Sequence, residues 1–102
     1  MTIDPSETKF RQVGGDPTTG AQIWELVAPD GTIFARAEVF PGTEQWGVRV
    51  QDRAPELEIR DLVGLVGRLL VWEVGCKAET VDVVLGRTHE HQTLVRVAGE
   101  YV

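Results

Sequence analysis

The hydrophobic period of this chain changes twice between Gln45 and Leu85, which limits the chain to a helix set among strands. "QWGVRVQ" alternates: Trp46, Val48 and Val50 share one side, and Gln45, Gly47, Arg49 and Gln51 share the other. That is the pattern of a strand buried on one face. After "DRAP" the period becomes helical. Ile59, Leu62, Val63, Val66, Leu69 and Leu70 recur at i, i+3, i+4 and i+7, and Leu65 and Trp72 widen the stripe. "ETVDVVLG" then alternates again, with Val81, Val83 and Leu85 on one side. Pro55 suits a first helical turn, Glu56, Glu58 and Asp61 lie near the positive end of the dipole, and Gly75 is placed as a left-handed stop.

The other apolar runs read as strands. "TKFRQV" forms a first strand before the loop "GGDPTTG". "AQIWELV" and "TIFARAEVF" form a hairpin through "APDG", whose Pro, Asp and Gly supply turn chemistry. "RTHEHQ" turns the chain into the closing run "TLVRVAGEYV". The expected order is β-β-β-β-α-β-β. One helix covers only one face of such a sheet, so the expectation is a two-layer α+β domain, a mainly antiparallel sheet covered on one face by a single long helix. Residues 1–7 read as a loose tail and residues 8–102 as one domain, a size that buries roughly 60 to 70% of the unfolded chain's surface.

Charge and cysteine usage narrow the function classes. A net charge of -6 argues against a nucleic-acid partner, because that affinity comes mainly from Lys and Arg displacing counterions. The one cysteine, Cys76, has no disulfide mate, and the N-terminus shows no basic and apolar leader, so a cytoplasmic location is expected. "RDLVGLVGRLLVWEVGC" is too short and too charged for a membrane span, which needs about 20 apolar residues; Arg68 interrupts it and Asp61 and Glu73 bound it.

Within that stretch Gly64 and Gly67 stand where each costs a helix about 0.5–1 kcal/mol relative to alanine. No phosphate-binding glycine motif surrounds them, so they read foremost as places where a backbone approaches closely, the chain's own sheet or a second copy, with tolerated accident as the remaining alternative. "HEH" puts His89 and His91 on one side of a strand, as metal sites require, but spacing suggests no third ligand and a solvated turn explains them. Cys76 follows the helix end that repels a thiolate, and Ser6 is the one serine. No catalytic or metal residue is assigned and no cofactor is expected; the sequence leaves catalysis open and favours a non-enzymatic role.

The strand, helix and strand from Trp46 to Leu85, with "LLVWEVGCKAETVDVVL" as helix, glycine stop and strand, resemble the central unit of the GNAT acetyltransferases. The resemblance implies acyl-CoA between two splayed strands, with its pyrophosphate on amides at the helix start. Where the family has R/Q-x-x-G-x-G/A, this chain has "QDRAPELEIRD".

The function expected from these readings is a small non-enzymatic protein-interaction domain: an adaptor, inhibitor or regulatory subunit that self-associates. Its partner is another protein, a second copy of itself, or both. Phe34 and Phe40, expected on the uncovered sheet face among Arg36, Glu38, Arg49 and Asp82, join Gly64 and Gly67 as candidate interface residues. The alternative is a degenerate GNAT-like acyl-CoA-binding domain or a small-ligand module, with Trp46 and Trp72 lining a pocket between helix and sheet.

Overall fold

A computed structural model describes residues 5–86 and 90–102. After a 3-10 turn at Pro5–Glu7 come strands β1 (Lys9–Gly15), β2 (Gln22–Val27), β3 (Ile33–Phe40) and β4 (Gln45–Gln51). Helix α1 (Ile59–Arg68) continues directly into a π-helical segment, Leu69–Val74. Strands β5 (Thr80–Leu85), β6 (Glu90–Val97) and β7 (Glu100–Tyr101) complete the chain. The seven strands lie in sequence order, and each pair is antiparallel except β4 and β5, which the helical crossover makes parallel.

The architecture corrects the expected two-layer domain with a long covering helix. The sheet is mixed and curls into a half-barrel, and the helix is short, with 16 residues in its α and π parts together. The physical reason is width. A helix with its side chains is about 10–12 Å across and strands lie about 4.8 Å apart, so one helix covers only two or three strands of a flat sheet. A curled sheet instead brings more of its strands to the same helix. Register shifts at Gln12/Gly14 in β1 and opposite Leu26/Val27 in β2 mark bulges, which bend strands and increase their twist.

The inner face carries cross-strand rows of apolar residues: Phe10–Leu26–Ala35, then Trp24–Ala37–Val50–Leu85, then Val39–Val48–Val83, then Trp46–Val81–Leu94. Leu62, Leu65, Val66, Leu69 and Leu70 of the helix are fully buried in the same cluster. Ala35 and Ala37, also fully buried, keep the middle of the sheet thin where bulky helix side chains need room. Each fully buried leucine contributes about 1.5–3 kcal/mol by leaving water.

The π-helical segment rearranges the end of the stripe. Bonding to i+5 widens the turn, so each residue advances by less than the 100° of an α-helix. Val74 thereby packs on the core, while Trp72 and Glu73 are exposed. Gly75 ends the helix at φ 70°, and its N–H and that of Cys76 both donate to the Leu70 carbonyl. The closing run divides at Ala98 and Gly99, which both have positive φ and make a tight two-residue hairpin into β7.

β7 explains one of the two helix glycines. A Cβ on Gly67 would lie 3.2 Å from the carbonyl oxygen of Tyr101 and 3.6 Å from its Cβ, so glycine lets the last strand lie against the helix. Tyr101 is buried; its hydroxyl donates to the Ala78 carbonyl at 2.7 Å, and its oxygen lies 3.1 Å from the Cys76 thiol. Burial, and then the thiol beside it, push this phenol above its ordinary range. Gly64 has no such neighbour; nothing lies within 4 Å of its would-be Cβ. Substitution at the two sites therefore has opposite signs. Gly64→Ala raises stability by about 0.5–1 kcal/mol through helix propensity, whereas Gly67→Val lowers it by about 1–3 kcal/mol through overpacking; chemical denaturation of the two variants checks both.

Candidate interaction surfaces

The outer face of the sheet carries a ladder of partnered polar groups, interrupted by the apolar Ile23, Phe40, Val84 and Val95. Registered pairing puts Arg11, Glu25 and Arg36 in one row across β1, β2 and β3. Glu25, only 6% exposed, accepts from Arg11 Nη2 at 2.5 Å and from Arg36 Nη2 at 3.3 Å. The Arg11 hydrogen bond foremost, with Arg36 behind it, outweighs the burial that opposes ionisation and holds the Glu25 carboxyl below its usual range. The next row sets Glu38 beside Arg49 at 3.8 Å, and the Arg49 guanidinium lies 5.6 Å over the Phe40 ring. In the row after that, Asp82 accepts from Thr93 Oγ1 at 3.0 Å and from Gln45, with His91 Nε2 at 3.6 Å.

This face fixes the place of two sequence candidates. Phe40 is on it, 37% exposed, beneath Arg49. Phe34 is not; it is 1% exposed and belongs to the core. The cause is the β2–β3 register shift: Leu26 pairs with Ala35 and Val27 with Ile33, so Phe34 is the extra residue of a bulge. Its carbonyl accepts from Ala54 N at 2.7 Å. A bulge re-aims a side chain against strict alternation, so an expectation built on alternation placed Phe34 on the wrong face.

The outward side of the helix is the second surface. Gly64, Arg68 and Trp72 follow one another at intervals of four, and Trp72 is 68% exposed, the most exposed tryptophan described. The Arg68 guanidinium lies 5.7 Å over its ring. Gly64 is exposed beside them, whereas Gly67 is closed off by Tyr101. The proposed pocket between Trp46 and Trp72 does not form. Trp46 packs on the core from β4 while Trp72 faces outward, and neither belongs to the lining of the cleft at the ends of β4 and β5. Trp24 is buried and donates its Nε1–H to Gln22 at 2.9 Å.

A cleft of about 830 Å³ opens at the carboxyl ends of β4 and β5, beside the start of α1. Val50, Ile59, Leu62 and Leu85 supply its apolar lining, and Arg53, Asp52 and Glu90 supply charges of both signs. Arg53 Nη1 donates to the Leu57 carbonyl at 2.6 Å and so ties down the loop into the helix. β4 and β5 stay paired from Gln45↔Thr80 to Val50↔Leu85, without the splay that an acyl-CoA gap requires. Among the described residues no group of His, Cys, Asp and Glu is arranged to hold a metal; His89 lies outside them. No described helix is long and apolar enough to cross a membrane. Cys76 is buried.

The chain matches no protein-family model, and no curated protein or solved structure is significantly similar to it. The likeness to the acetyltransferases therefore rests on the pattern of "LLVWEVGCKAETVDVVL" alone. Sequence reasoning missed Arg68 and the Glu25 triad. The Arg68–Trp72 spacing of four on a helix signalled the first; alternating charge on Arg11, Glu25 and Arg36 in three successive strands signalled the second.

Glu25 yields a pH test. Its folded pKa lies below the unfolded value of about 4.3, so its contribution is present above that value and is lost as pH falls through the folded pKa. Glu25→Gln lowers the melting temperature at neutral pH, and the gap to wild type closes in acid. Thermal melts across that range check it; a gap that is constant with pH would contradict the assignment.

Proposed function

We propose that this chain is a non-enzymatic protein-interaction domain, an adaptor, inhibitor or regulatory subunit, that binds through the outward face of its helix. The observation that carries the reading is Trp72, 68% exposed with Arg68 along its ring. A tryptophan buries about 150–250 Å² when covered, and tryptophan and arginine dominate the few residues that supply most binding energy at protein interfaces. Trp72 does not support the core, since the π-helical segment turns it away and gives its place to Val74. The outer sheet face offers less to a partner, because its charged groups already satisfy one another.

The test is affinity capture with tagged wild type and Trp72→Ala, followed by reconstitution of any differential protein from purified components. The expected result is a purified pair that binds wild type and loses roughly tenfold or more in affinity with Trp72→Ala, while both forms melt alike. Equal binding by the two forms would remove the helix face from the reading.

A second reading rests on the cleft beside Ile59 and Leu62, whose volume falls in the range of small-molecule sites, about 300–1,000 Å³. It predicts a thermal shift with a small ligand. Acetyl-CoA at millimolar concentration is the first probe, and the absence of any shift with it removes the acyl-CoA form of that reading.

A further inference from the structure

We propose that two copies of this chain associate weakly through their helices, antiparallel, with Trp72 of each copy seated over Gly64 of the other. The inference rests on the helix-face reading above and names the occupant of that face. Gly64 is an exposed hollow, with nothing within 4 Å of the position a Cβ would take, and Trp72 is an exposed knob on the same side of the helix. Hollow and knob lie four residues before and four after Arg68. A two-fold axis at the level of Arg68 therefore brings each knob to the other copy's hollow, which is the self-complementarity that a two-fold interface demands.

The charges around the seam suit that axis. Arg60, whose side chain is 85% exposed and pairs with Glu58 at 3.4 Å, lies eight residues before the axis, and the exposed Glu73 of the other copy lies about 4.5 Å from it along the helix, so long-range attraction occurs twice by symmetry. One meeting of like charges opposes these: Arg68 approaches its own counterpart, although its guanidinium is drawn along its own helix by the Trp72 ring. Area sets the strength. Two tryptophans supply about 300–500 Å², against the ~1,200 Å² or more that a stable complex buries. Even with Val63 and Val71, partly buried along the flank of the stripe, the dimer is a concentration-dependent one.

Sedimentation velocity from low micromolar to millimolar chain tests the association. The expected result is a reversible monomer–dimer equilibrium that Trp72→Ala and Gly64→Gln each weaken by roughly tenfold or more, with circular dichroism retained and the melting temperature not lowered; both positions are exposed, so neither side chain is needed for folding. Oxidative cross-linking tests the geometry, with wild type as control because Cys76 is buried. Arg68→Cys forms a covalent dimer. Trp72→Cys alone does not, since its mate lies about 12 Å away along the axis, beyond a disulfide's span. A chain that stays monomeric throughout overturns the dimer alone, because reconstitution with a different protein reads the helix face separately. A dimer indifferent to both substitutions, or linked by Trp72→Cys rather than Arg68→Cys, overturns the proposed geometry.

Discussion

One short helix has to supply the interior for seven strands, and most of the structure follows from that constraint. The α and π parts together present Leu62, Leu65, Val66, Leu69, Leu70 and Val74 inward. A flat sheet would leave its outer strands with nothing apolar to cover them. Curling answers this, and the bulges at Gln12/Gly14 and Leu26/Val27 supply local bends that regular strands lack. The helix must also be approached closely from its flank. Gly67 permits it, and Tyr101 holds the last strand there through a buried hydroxyl with two partners.

The curl separates the sheet into two chemically different faces. Inside, alanines at 35 and 37 and valines at 39, 48, 50, 81 and 83 make a tight apolar lining. Outside, each carboxylate of the ladder sits beside a donor: Glu25 between Arg11 and Arg36, Glu38 beside Arg49, and Asp82 among Gln45, Thr93 and His91. Exposed ion pairs of this sort contribute little individually. Their effect here is to keep a broad sheet face wet and uniform in register, and Glu25, nearly buried, is the member whose loss the fold would feel.

What was legible in the sequence follows the same division. Alternation in "QWGVRVQ" and "TVDVVL" reports strands that are covered on one side, and the inner rows contain those residues. Gly75 was readable as a stop because only a left-handed residue ends a helix in that way. Phe34 and Trp72 were misplaced for a shared reason: each lies within a local change of period, a bulge in one case and a π-helical turn in the other. Periodicity assumes a constant advance per residue, so a single inserted residue reverses its answer. The curl left no local signal, since it is a property of how strands are arranged around the helix.

The two exposed faces differ as places for a partner. Covering the outer sheet face would take paired charges out of water, and the cost of desolvating such pairs offsets much of what their attraction returns. Covering the helix face removes an indole from water, with Arg60, Arg68 and Glu73 as the charges at its margin, and the Arg68 guanidinium already shares its charge with the ring. The helix is held inward by the core and on one flank by Tyr101, so its remaining side is the part the fold itself does not use. That side carries a glycine with open space above it and the chain's most exposed described tryptophan. Neither is explained by the interior: alanine at 64 would strengthen the helix, and a polar residue at 72 would suit water better. A partner lying against that side would account for both.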